Sequence, residues 1–140
     1  MIAIDTNVLL RYLLDDDHSQ AAKAQILIKS DKIVLITDVV LVETIWTLKG
    51  RKYKLDKDSL IAVVQALFKE PNIRFENGQV VWMALNDFRQ AKPIKGKSAD
   101  FSDALIANKA RFIANQQSRN LKAIYTFDIA AQQLSGMEAP

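Results

Sequence analysis

Short β-branched runs alternate with longer helical stretches along this chain, and that alternation constrains the fold more than any other feature. Residues 1–4, 32–36 and 121–125 read as buried strands, with 72–75 a weaker fourth. Helical patterns cover 7–14, 19–29, 38–49, 57–69, 79–90 and 100–118, and a last short helix is expected over 129–134. Gly50 reads as a left-handed cap closing the helix at 38–49. Strands that alternate with helices predict an α/β fold with a parallel sheet covered by helices on both faces. No internal repeat, low-complexity tract or Gly/Ser/Pro linker divides the 140 residues, so a single domain over 1–140 is expected. Parallel sheets of this kind bind ligands beyond the carboxyl ends of their strands, where strand order reverses.

Composition narrows the chemistry available there. The chain has no Cys and a single His, His18. Thiolate catalysis, disulfides, cysteine zinc sites and multi-histidine metal sites are excluded, and only His18 remains as a base for a Ser-His-Asp triad. Carboxylates, hydroxyls and hard cations are what is left. A net charge of +3 permits a polyanionic partner without demanding one. The longest apolar runs, such as residues 39–42, fall far short of the roughly 18–20 residues that span a bilayer. The start, Met1-Ile2-Ala3-Ile4-Asp5, has neither a basic nor an apolar leader region, so a cytoplasmic protein without membrane contact is expected.

Acids fall where the sheet would bind a ligand. The first strand ends in Asp5, followed by Thr6-Asn7, and the last in Thr126-Phe127-Asp128. Each acid is equally suited to capping the next helix, and that is the alternative for either alone. Glu43 lies in a helix where Val39, Val40, Leu41, Val42, Ile45, Trp46 and Leu48 are apolar nearly all round, which predicts burial. It shares a side with Val39 and Trp46. A buried carboxylate must be protonated, ion-paired or bound to a cation, with a salt bridge as the plain alternative. Asp103 heads a stripe of Ile106, Ala107, Ala110, Ile113 and Ala114 suited to close packing, and so points toward the strand ends. Asp100 sits one turn earlier on the same face, where the helix dipole alone favours an acid by about 0.3–1 kcal/mol.

Gathering Asp5, Glu43, Asp103 and Asp128 has an electrostatic consequence. Two like charges about 4 Å apart repel by around 4 kcal/mol at an effective dielectric near 20. Such a cluster requires raised pKa values or a divalent cation, and oxygen-only ligands favour Mg²⁺ or Mn²⁺. A hard cation of this type activates a water and steadies in-line phosphoryl transfer. The residues by themselves therefore point to a metal-dependent phosphodiesterase.

Asp5-Thr6-Asn7-Val8-Leu9-Leu10 resembles the opening of PIN-domain proteins, and Val42-Glu43-Thr44 resembles their second acidic motif. Asp103-Ala104-Leu105-Ile106-Ala107 is similar to the third and Thr126-Phe127-Asp128 to the fourth. Length, order and spacing match over essentially the whole chain and resemble the VapC-type toxins of toxin–antitoxin pairs. The resemblance implies a PIN-like three-layer α/β/α sandwich around a central, mainly parallel sheet of four to five strands. It also implies an Mg²⁺- or Mn²⁺-dependent single-strand endoribonuclease, homodimeric and inhibited by a cognate antitoxin protein. By motif, Asp5, Glu43, Asp103 and Asp128 are catalytic, with Asp5, Asp103 and Asp128 as metal ligands. Glu43 and Asp128 complete the metal shell or orient the attacking water as general base. Thr6 is expected to hydrogen-bond a metal water or Asp103, or else to cap the first helix. Asp100 and Thr126 are expected to support the ligands from behind.

RNA cleavage requires contact with the phosphate backbone. Lys92-Pro93-Ile94-Lys95-Gly96-Lys97 runs into the Asp103 helix, so Lys95 and Lys97 are candidates to hold phosphates, with a solvated surface as the alternative. Lys49-Gly50-Arg51-Lys52-Tyr53-Lys54 is a second basic run, with an aromatic able to stack on a base. Arg11 is a candidate contact for substrate, antitoxin or Asp15. Asp15-Asp16-Asp17 reads as a solvated turn, and Trp46, Trp82 and Phe88 as core or dimer contacts. The remaining functional alternative is a catalytically silent PIN-like scaffold that binds RNA or protein.

Overall fold

A computed structural model describes residues 1–140, which form two compact units, Met1–Asn77 and Gly78–Pro140. In the first, β1 (Ile2–Ala3), β2 (Val34–Ile36) and β3 (Ile73–Phe75) make a parallel sheet in the order β1-β2-β3, with Ile2 opposite Val34 and Val34 opposite Ile73. Parallel neighbours cannot be joined by a tight turn. Here each connection is a helix pair: α1 (Thr6–Leu14) and α2 (His18–Ile28) after β1, α3 (Asp38–Lys49) and α4 (Lys57–Lys69) after β2. Val34 and Ile36 in the central strand have no exposed surface, and the core around them is built from Leu9, Ile28, Leu41 and Leu48. Burying each such side chain contributes about 1.5–3 kcal/mol.

All four of these helices begin with a side-chain cap. Asp5, Asp17, Thr37 and Asp56 accept from the backbone N–H groups of Val8, Gln20, Val40 and Ser59. At the end of α3, Gly50 is extended (φ −65°, ψ −178°) and not left-handed as expected. Its N–H donates to the Trp46 and Thr47 carbonyls, and a Cβ there would stand 3.2 Å from the Thr47 oxygen. Close approach, rather than a positive φ, makes glycine the fitting residue. The left-handed positions of this unit are Asp15 (φ 50°), which closes α1, and Lys54 (φ 52°).

One polar network ties α1, α2 and the end of α4 together. Tyr12 and Lys29 both donate to Glu70, Lys29 at 2.7 and 2.9 Å to its two oxygens. The Lys29 hydrogen bonds, followed by that of Tyr12, hold the Glu70 carboxyl below its usual 4.5. Burial, reinforced by the bond to Glu70, pushes the Tyr12 phenol above 10.0. The Glu70 contribution is present above pH 4.5 and is lost as pH falls through the lower folded value. The Tyr12 contribution is present below pH 10.0 and is lost as pH rises through the raised folded value. The stability gap between wild type and Glu70→Gln, measured by urea unfolding, is therefore expected to be flat near neutral pH and to shrink below about pH 4. A gap unchanged down to pH 2 would contradict this assignment.

The second unit comprises α5 (Gly78–Gln90), α6 (Phe101–Gln116), β4 (Ile124–Tyr125), a single 3₁₀ turn (Ala131–Gln133) and β5 (Met137–Glu138). Ile124 pairs with Met137 and Tyr125 with Glu138 in a parallel ladder. The α5–α6 pair is its core: Ala84, Ala104 and Ala107 have no exposed surface, which lets the helices approach closely. Phe88 meets Phe101 edge to face at 6.0 Å, worth about 0.5–1.5 kcal/mol beyond burial.

The α/β class with parallel pairing is as expected. The five strands, however, are divided between a three-stranded and a two-stranded ladder. Strand β4 is shorter than the run at 121–125, with Leu121 and Lys122 exposed outside it, and the helix expected at 129–134 is a single 3₁₀ turn. No helix is long and apolar enough to cross a membrane.

Candidate active site

In the first unit, β1 and β2 are neighbours and parallel, so the chain leaves both at the same edge of the sheet. Asp5 follows β1 and caps α1, its Oδ1 accepting from the Val8 N–H at 2.9 Å. This is the capping role, yet it occupies a single oxygen. Thr6 is the first helical residue, and Asp5 rather than Thr6 caps α1. Its hydroxyl donates to Glu43 Oε2 at 2.9 Å, which brings the first two acidic motifs together. Glu43 itself is exposed, not buried as its apolar neighbours suggested. The buried face of α3 is Leu41, Thr44, Ile45 and Leu48, while Val39 and Trp46 are 65% and 73% exposed. Burial therefore imposes no requirement on the Glu43 carboxylate. Glu43 stands on the open face of the helix.

A groove of about 330 Å³ is lined by Asp5, Arg11, Gln20 and Lys23 among others. The Arg11 guanidinium donates to Asp16, not Asp15, and Tyr53 donates to the other Asp16 oxygen at 3.2 Å. That hydrogen bond raises Arg11 and lowers Asp16 relative to their usual pKa values. The acidic turn at residues 15–17 is exposed, as expected, but its members are engaged: Asp17 caps α2, and Asp15 lies 3.5 Å from His18. Tyr53 carries the Lys52 ammonium 5.2 Å from its ring centre, so the aromatic of the second basic run is already partnered. Lys23 was not singled out by sequence. Its signal was available: α2 buries Ala21, Ala24 and Ile28, which leaves Lys23 at the edge of that face.

In the second unit, Asp103 accepts from the Asp100 N–H at 2.8 Å in a capping box that starts α6. The stripe expected beneath Asp103 is displaced. Phe101, Ala104, Leu105, Ala107 and Asn108 are the buried positions, whereas Ile106 and Ile113 are 54% and 42% exposed. Asp103 is therefore at the margin of the packed face, half-buried, rather than at its head. Asp128 accepts from the N–H of Ala131, the first residue of the 3₁₀ turn, at 3.1 Å, and its own N–H donates to the Thr126 hydroxyl at 3.1 Å. Lys95 (φ 52°) and Gly96 (φ 76°) form a tight turn closed by the Ile94–Lys97 pair, which exposes both candidate lysines. Phe88 belongs to the core, while Trp82 is exposed.

The four motif acids offer only carboxylate oxygen, and the sole imidazole, His18, is exposed beside Asp15. In kind, this donor set fits a hard divalent cation. Within neither unit do three such side chains converge closely enough to hold an ion alone.

The sequence profile of the PIN domain matches residues 2–136. No curated protein sequence matches the chain. Among solved structures it is similar to Mycobacterium tuberculosis VapC20, described as a sarcin-ricin loop cleaving toxin. The two share 15% identity over 95% of this chain and 94% of that one, with a TM-score of 0.41. The profile runs from β1 to the residue before β5, and the chain belongs to the PIN domain family.

Proposed function

We propose that this PIN-domain chain is a metal-dependent endoribonuclease that cleaves single-stranded RNA as the toxin of a toxin–antitoxin pair. The observation that carries the reading is the 2.9 Å hydrogen bond from Thr6 to Glu43, which joins two of the four acidic motifs at neighbouring strand ends. Asp5, Asp103 and Asp128 are the proposed ligands of Mg²⁺ or Mn²⁺. Once bound, that ion lowers the pKa of a water and offsets charge on the phosphodiester.

The chain's own side chains have separate tasks. Thr6 holds one oxygen of Glu43 and leaves the other to take a proton from the attacking water. Thr126 fixes the backbone of Asp128, and the Asp100 N–H holds the Asp103 carboxylate. Lys95, Lys97 and Arg11 contact substrate phosphates. A homodimer, a cognate antitoxin and a cytoplasmic setting belong to the same reading. The profile match running through both units supports one nuclease domain over 1–140.

The test is cleavage of single-stranded RNA by the purified chain. Cleavage is expected with Mn²⁺ or Mg²⁺, is expected to stop with EDTA, and is expected to return on adding excess Mn²⁺. Cleavage that survives EDTA contradicts the metal mechanism. RNA binding with no cleavage under any metal supports the silent scaffold instead.

A further inference from the structure

Helix α6 ends in a defined geometry. Ser118 turns left-handed (φ 52°), and the Arg119 N–H reaches back to the Ala114 carbonyl at 2.8 Å, a Schellman closure that fixes where Arg119 departs. The chain then passes Leu121 and Lys122 into β4. Between this exit and β5 lies a cleft of about 240 Å³ to which Arg111, Arg119 and Lys122 contribute. No acidic side chain lines it, so three cations face one concavity on a chain whose whole net charge is +3.

The three cations differ in kind. Arg111 is held in place by the Ser135 carbonyl and by Asn108 Oδ1 at 3.2 Å, with Asp87 at 3.7 Å offsetting its charge. Arg119 and Lys122 are exposed and form no ion pair. Gly136 (φ 82°) forms part of the wall, where a Cβ would come within 3.5 Å of Arg111. Ala123 and Ile124 add apolar surface. Like charges gathered around a concave surface repel one another and focus a positive potential, which an anion relieves.

We propose that this cleft binds the phosphodiester backbone of a single-stranded nucleic acid, with Arg119 and Lys122 each contacting a phosphate and the apolar wall meeting the sugar. That the strand is the RNA being cut rests on the proposed function; the anion chemistry of the cleft does not. Neither cation belongs to the candidate active site.

The test is fluorescence anisotropy with a labelled 2′-O-methyl oligoribonucleotide, which binds without being cleaved, using the full chain. For Arg119→Ala/Lys122→Ala, the slope of log affinity against log salt is expected to fall by about 1.4, the loss of two single-strand phosphate contacts at ~0.7 each. Affinity should drop at least severalfold. In the wild type, the backbone amides of Ile124 and Gly136 should shift in NMR spectra as oligonucleotide is added. Unchanged affinity and slope, or unmoved amides, overturn the proposal. Saturation of the same amides by inorganic phosphate at equal phosphate concentration shows a free-anion site and overturns the strand reading. If the oligonucleotide binds as described but RNA is never cleaved, the proposed function fails and the cleft assignment stands.

Discussion

Asp5→Asn is expected to reduce RNA cleavage by about three orders of magnitude while leaving the fold intact. The geometry separates the two roles of this side chain. Its Oδ1 accepts from the Val8 N–H, and asparagine presents a carbonyl oxygen in the same place. Asparagine is as good an N-cap as aspartate, so the start of α1 is retained. What disappears is the negative charge that a hard cation requires. Losing several kcal/mol of electrostatic stabilisation, of order 4 kcal/mol, corresponds to roughly 10³ in rate. Asp5→Ala removes cap and charge together and should cost about 1 kcal/mol of stability besides. Single-turnover cleavage and thermal melting of both variants separate the effects. Cleavage that survives Asp5→Asn would remove Asp5 from the metal site.

Asn108→Ala is expected to have the largest effect on stability. Asn108 is 3% exposed and lies on the face of α6 that meets Asp87 of α5. Its amide donates to Asp87 and to the Ala104 carbonyl, each at 2.8 Å, and its Oδ1 accepts from Arg111. Truncation removes three hydrogen bonds at about 1 kcal/mol each and leaves part-buried Asp87 and Arg111 less well satisfied. A loss of about 3 kcal/mol is expected, a fall in Tm of roughly 6–12 °C for a chain of this size. Urea unfolding measures it directly, and a loss under 1 kcal/mol would mean that the network contributes little. Arg111 also borders the basic cleft, so this variant should loosen Arg111 without touching the acidic motifs.

Much of the architecture was legible because period and punctuation agree. Residues 38–49 and 57–69 are helical over the ranges expected, the first of them ending at Gly50. The parallel sheet follows from strands that alternate with helices. The phase of the helices was less legible. In α3 nearly every position is apolar, so composition cannot say which side is buried, and Val39 and Trp46 turn out to face solvent. In α6 alanine fits either face, and the buried side is marked by Phe101, Leu105 and Asn108 instead. Strand β5 follows Ser135-Gly136 and has only two residues, too few for any period to show. The role of Asn108 is not legible in local sequence, because it depends on Asp87 of the neighbouring helix α5. The motif acids were found by order and spacing. Thr6 reaching Glu43 depends on how α1 meets α3, which no local pattern encodes.

The central claim is that Asp5, Glu43, Asp103 and Asp128 together serve one divalent-metal function. Titration of Mn²⁺ into wild type, Asp5→Asn and Asp103→Asn, followed by electron paramagnetic resonance of the free ion, tests it most directly. The wild type is expected to bind Mn²⁺, and binding is expected to weaken at least tenfold in each variant. Binding left intact by either substitution, or no binding by the wild type, would contradict it.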